Sequence, residues 1–152
     1  MDPTVEAATA TLEKLRSDLR EGLAGQSAAA LNWQPAPGAN SIAGLLAHMM
    51  ESGNFLVQSG LGRTIPRDRE AQFAATAPDA ETLLQRVDQG FEPILRGARE
   101  YTPEALAARR DFRGTEVPSA WFLLHTCGHL LEHWGQIQLT RDVYQAMKAP
   151  AG

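Results

Sequence analysis

His125-Thr126-Cys127-Gly128-His129-Leu130-Leu131-Glu132-His133-Trp134-Gly135-Gln136-Ile137 carries three of the chain's four histidines at intervals of four residues. On a helix, each step of four turns about 400° and rises about 6 Å, so the three imidazoles drift only about 40° per step. They form one stripe. Two adjacent members can meet one ion at Zn–N distances of about 2.0–2.1 Å. All three cannot on a straight helix, because the outer pair is about 12 Å apart along the axis. At most two ligands come from this stripe. A third must come from another helix, and His48 is the histidine that remains.

Histidine pairs at this spacing also occur on ordinary solvated helix faces, so the surroundings of His48 matter. It follows Leu45 by three and precedes Glu51 by three, at the edge of an apolar face. A neutral imidazole there needs a partner, and a metal ion is one candidate.

Working outward, the helical pattern around the stripe starts near Val117-Pro118 and runs toward Met147, about 45 Å at ~1.5 Å per residue. Pro150 and Gly152 close it. Three further patterns precede it. Asp2 as N-cap and Pro3 at the first position open one, with Val5, Ala8, Leu12, Leu15, Leu19 and Leu23 on its apolar face. A loop with Pro35, Pro37 and Gly38 leads to the second, capped by Asn40 or Ser41, which presents Ile42, Leu45, Leu46, Met49, Leu56 and Val57 before Gly60 and Gly62 break it. Asp79 opens the third, with Leu83, Leu84, Val87, Phe91, Ile94, Leu95 and Ala98. Pro93 inside it is expected to kink the helix or remove one hydrogen bond. Thr102-Pro103-Glu104 starts a short helix ending near Arg110. Strand-like alternation and hairpin signals are absent. The expected fold is all-α: one domain over residues 1–152, an up-down-up-down four-helix bundle with a long crossover connection from Arg63 to Pro78.

Composition bounds the function. The net charge is −4, which argues against nucleic acid or an anionic membrane as the partner. No apolar run is long enough to span a bilayer, Met1-Asp2-Pro3 does not begin a secretory signal, and Cys127 is the single cysteine. No disulfide can form within these residues, and a cytoplasmic location is expected.

Two metal-enzyme motifs fail on inspection. His129-Leu130-Leu131-Glu132-His133 matches the inverted zinc-protease pattern, but such enzymes need a ligand well downstream, and too little chain follows His133. A ferritin-like di-metal site needs paired Glu-x-x-His motifs that the chain lacks. Cys127 is about 200° around the helix from His129 and reads as a small core residue. Gly128 and Gly135 suggest close helix approach near the site. Trp33 is expected to plug the end of the bundle. Trp121, Phe122 and Trp134 read as core, or as a subunit interface.

Leu31-Asn32-Trp33-Gln34-Pro35-Ala36-Pro37-Gly38-Ala39-Asn40-Ser41-Ile42, followed by Leu45-Leu46-Ala47-His48, resembles the first signature of the DinB-like, YfiT-like four-helix bundles. The stretch from His125 to Ile137 resembles that family's last-helix signature: histidine, three residues, histidine, one residue, then Gly-Gln. The resemblance covers roughly Leu12 to Tyr144. It implies one metal, often zinc or nickel, held by three histidines, which map onto His48, His129 and His133. His125 falls one turn outside that triad, where it would line the pocket or orient a ligand. Trp134 departs from the family pattern, where a small or basic residue is usual.

Three histidine ligands leave an open coordination position, the pattern of a catalytic metal. The resemblance points to a metal-dependent transferase that activates a low-molecular-weight thiol of the bacillithiol or mycothiol type. In this reading Glu132 is a candidate base, and Arg109, Arg110 and Arg113 would hold an anionic thiol. The alternatives are a non-catalytic metal-binding stress-response module acting as a homodimer, and a metal-dependent hydrolase acting on a small molecule.

Overall fold

The computed structural model describes residues 2–149; Pro150 and Gly152 lie outside them. The elements in order are α1 (Pro3–Leu23), α2 (Ala28–Asn32), α3 (Ile42–Gly60), α4 (Arg69–Phe73), α5 (Ala80–Arg99), α6 (Pro103–Ala107), β1 (Arg109–Phe112), β2 (Thr115–Pro118) and α7 (Ser119–Lys148). Four long helices form the bundle, as the periodicity predicts. Local chemistry fixes their starts. The Asp2 carboxylate accepts from the Thr4 amide, the Ser41 hydroxyl from Gly44, and the Asp79 carboxylate from Thr82. Each satisfies an amide that the helix itself leaves free. Ser41, not Asn40, is the cap of α3. α5 runs through Pro93 without interruption.

The apolar stripes read from the sequence meet in one core. Leu12, Leu15 and Leu19 of α1, Leu46 and Met49 of α3, Phe91 and Ile94 of α5, and Leu123 of α7 are all at most 1% exposed. Burying side chains of this size stabilises the fold by about 1.5–3 kcal/mol each before entropy is counted.

The helix directions differ from the expected up-down-up-down order. Glu13 pairs with Arg99, Arg16 with Asp88 and Glu92, and Arg20 with Asp88, so α1 and α5 are antiparallel. Gly90 lies against Met50 and Gly97 against Val57, so α3 and α5 run the same way. Cys127 Sγ meets the Ala8 carbonyl and Arg141 donates to the Gly22 carbonyl, so α1 and α7 are parallel. Gly60 touches Phe122 while Gly53 touches Leu130, so α3 and α7 are antiparallel. The order is therefore up-down-down-up. The long crossover between α3 and α5 is present, but it returns the chain to the end where α3 began. Periodicity reports which face is buried, not which way a helix points, so the pattern alone did not distinguish the two orders.

Two smaller differences concern the segment before α7. The short helix ends at Ala107, and a hairpin follows, with Arg109 opposite Pro118 and Phe112 opposite Thr115. Its two-residue turn holds Arg113 at φ 54° and Gly114 at φ 85°, both left-handed. Arginine is an unusual residue there, so the usual Asn-Gly or Asp-Gly signal is missing. The Asp111 carboxylate accepts the Gly114 amide and holds the turn.

Gly128 and Gly135 do not mark close helix approach: a Cβ at either would meet nothing within 4 Å. The close approach is at Gly60, where a Cβ would lie 2.0 Å from the Tyr101 hydroxyl and 2.8 Å from Phe122 Cβ. Tyr101 is buried and donates to the Val57 carbonyl at 2.8 Å. Gly60→Ala should displace Tyr101, break that bond and lower stability by about 1–3 kcal/mol in chemical denaturation. Gly128→Ala should leave stability unchanged or raise it by up to ~1 kcal/mol.

Candidate metal centre

His48 sits on α3, and His129 and His133 sit one turn apart on the antiparallel α7. The antiparallel contact brings the three rings together. Centroids are 5.3 Å apart for His48 and His129, 4.9 Å for His48 and His133, and 4.5 Å for His129 and His133, with the rings edge to face. One nitrogen from each ring lies within 4.8 Å of the others. A zinc-class ion at ~2.0–2.1 Å from each nitrogen holds its ligands somewhat closer, which small ring rotations supply.

Neighbouring side chains orient two of the rings. His48 Nδ1 donates to Gln72 Oε1 at 2.9 Å, and Gln72 Nε2 donates to Glu51. Gln72 is 1% exposed, so its bond to His48 is sheltered from water, while Glu51 at the outer end is exposed. His133 Nδ1 donates to Gln136 Oε1 at 2.8 Å. With Nδ1 committed as a donor in both, the Nε2 lone pair is left for a ligand. His129 Nε2 lies 3.1 Å from the Ser52 hydroxyl. Phe73 stacks on the His48 ring at 4.6 Å.

Electrostatics favours the same state. Burial lowers the His48 pKa below its ordinary value despite the opposing hydrogen bond that His48 donates to Gln72. Burial, reinforced by His133, His48 and His125, pushes His129 down to about 4. Neutral imidazoles are what a divalent cation requires. A cluster of three imidazole nitrogens, with two Nδ1 atoms tied to amide oxygens, fits a divalent transition-metal ion.

A cavity of about 320 Å³ opens beside the triad, lined by His48 and His129 but not His133. Phe55, Leu56, Phe112 and Phe122 form its apolar walls, and Ser52, Ser59 and Asp111 add polar groups. Three arginines also line it: Arg67, Arg69 and Arg113.

The residues singled out in the sequence divide accordingly. His125 lines the cavity, stacked on Trp121 at 4.4 Å and outside the triad. Of the arginines, Arg113 lines it. Arg109 instead pairs with Glu116 across the hairpin, and Arg110 lies over Gly62 and donates to the Arg109 carbonyl. Glu132 is exposed and does not line the cavity. Cys127 is buried, and burial pushes its thiol up to about 11, as fits a core residue. Trp134 packs over Gly22 of α1 and does not line the cavity. Trp33 packs against Tyr144 near the end of α7. No sequence signal singles out Gln72, Ser52, Arg67 or Arg69, and Glu51 is legible only as a polar position beside His48. Gln72 and the two arginines lie in the crossover, where no periodicity assigns a side chain to a face.

A family model described as the DinB superfamily matches residues 11–137. No curated protein sequence matches significantly. Among solved structures, a DinB-like protein from Bacillus cereus aligns with TM-score 0.72 at 19% identity, covering 97% of this chain and 95% of its own. A conserved protein from Enterococcus faecalis aligns with TM-score 0.75 at 18% identity, covering 93% and 96%. A variant of a mycothiol-dependent maleylpyruvate isomerase aligns with TM-score 0.65 at 14% identity, covering 90% of this chain and 65% of that one. At these identities the likeness concerns the fold.

Two outcomes follow from the geometry. Gln72→Leu should weaken divalent-metal affinity by about 10–100-fold in a chelator competition, while Glu51→Gln, whose amide oxygen can still accept from Gln72, should retain most of it. The metal-free protein should lose stability as pH falls from 6.5 to about 4, because the unfolded chain protonates His129 there and the folded chain does not. Thermal melts across that range should show a smaller decline for His129→Gln.

Proposed function

The chain belongs to the DinB superfamily, and on that premise we propose that it is a metal-dependent transferase activating a low-molecular-weight thiol of the bacillithiol or mycothiol type. The observation that carries this is the convergence of His48, His129 and His133 beside a cavity large enough for a small molecule. A divalent ion there, zinc or nickel, supplies a Lewis acid that favours the thiolate form of a thiol near neutral pH. The protein's own groups do the rest. Gln72 and Gln136 hold two imidazoles with a lone pair facing inward. Phe55, Leu56, Phe112 and Phe122 exclude water from the reacting sulfur. His125, held flat against Trp121, presents an imidazole edge to the cavity. Similarity in fold to a mycothiol-dependent isomerase supports the choice of a thiol.

Another reading, a non-catalytic metal-binding module that acts as a homodimer, draws on a different feature. Leu124, Leu131, Leu139, Val143 and Met147 leave an apolar strip exposed along α7. Trp121 and Phe122, by contrast, pack with Phe112 beside the cavity. Among the described residues, no helix is long and apolar enough to cross a membrane.

Metal-loaded protein incubated with a thiol and an electrophile should form conjugate. The rate should fall to background with chelator and in His48→Ala. Metal bound without turnover on several thiols would favour the binding module; turnover of an ester or amide without any thiol would favour hydrolysis.

A further inference from the structure

From the cavity walls we infer that Arg67, Arg69 and Arg113 form an anion-binding site, and that one substrate carries a compact group of at least two negative charges, a phosphate or paired carboxylates. This names a substrate feature for the transferase reading and rests on it for its place in a reaction.

Three observations carry the inference. First, the guanidiniums are gathered on one cavity in a chain whose net charge is −4. They sense one another: after burial, Arg69 and then Arg113 act to lower the Arg67 pKa, with only Glu51 opposing. Holding like charges together costs free energy that a dianion would offset.

Second, the local carboxylates are otherwise engaged. Arg16, Arg20, Arg63, Arg99, Arg109 and Arg141 each meet an acidic side chain. Among the described residues, Arg67, Arg69 and Arg113 have no such partner within 4.0 Å; Arg86, Arg96 and Arg110 also lack one but do not line the cavity. Asp111 lines the same cavity, yet its oxygens accept the Gly114 amide, and Glu51 accepts from Gln72.

Third, each guanidinium rests over a phenyl ring: Arg67 over Phe55 at 4.7 Å, Arg69 over Phe73 at 5.7 Å and Arg113 over Phe112 at 5.2 Å. Stacking fixes the plane and leaves the N–H edges free for the forked contact that carboxylates and phosphates accept. Phe73 also stacks on His48, so one ring contacts both Arg69 of the anion site and a member of the histidine cluster.

The test is calorimetric titration of inorganic phosphate, and separately of succinate, into the protein at low ionic strength, with and without chelator. Saturable binding of at least one is expected, weakened by added salt. Affinity should drop on the order of tenfold or more in an Arg67→Gln, Arg69→Gln, Arg113→Gln triple variant. Arg109→Gln, outside the cavity, should bind like the wild type. Single variants at the three positions, with melting points checked, guard against loss through misfolding. Phosphate binding alone assigns a phosphate-bearing substrate, and succinate binding alone a dicarboxylate. Saturation by neither, or a triple variant equal to wild type, overturns the site. Binding that persists after chelation keeps this result separate from any failure of the metal reading.

Discussion

The parallel course of α3 and α5 is the constraint from which the site follows. After α3 the chain stands at the wrong end of the bundle to start a parallel neighbour. It must travel back about 30 Å, the length of a twenty-residue helix. The segment from Leu61 to Asp79 makes that return, and it does so along the flank of α3, where α4 packs. A tight turn, which suffices between antiparallel helices, would leave this flank bare. Here the return lays Gln72 against the inner side of His48, Phe73 across its ring, and Arg67 and Arg69 at the cavity. Bundle topology and site construction are the same fact.

That arrangement also resolves an energetic problem. Burying an imidazole removes it from water and costs free energy unless its polar atoms find partners. At His48 one nitrogen is satisfied by Gln72, whose amide is in turn satisfied by Glu51. A ring nitrogen of His48 also lies within 4.8 Å of one on each of His129 and His133. The same desolvation that costs stability keeps His48 and His129 neutral, so their lone pairs are available without competition from protons. Polar groups thus support the histidines from outside, while phenyl rings and guanidiniums line the adjoining space.

Much of this was legible in the sequence. The four long helices, their caps and their buried faces followed from apolar spacing and from Asp2, Ser41 and Asp79. The limit of two ligands per stripe pointed to His48 as the third, and family resemblance chose His129 and His133 over His125. What stayed hidden depends on direction or on irregular backbone. Helix polarity leaves no mark on an apolar stripe. The hairpin escaped notice because Arg113 occupies a left-handed position that asparagine or aspartate usually fills. Gln72 sits in a five-residue helix too short to show a period. Gly128 and Gly135 looked like contact points, yet the tight contacts fall at Gly60 and Gly90, where Tyr101 and Met50 fill the space.

The central claim is that one divalent ion is held by imidazoles from two different helices. Metal content, with X-ray absorption at the metal edge, measures this directly on protein purified without added metal. The account predicts one ion per chain with a first shell dominated by three imidazole nitrogens, and loss of the ion in His48→Ala as well as in His133→Ala. A metal content near zero in the wild type after metal supplementation, or full occupancy in both variants, would contradict it.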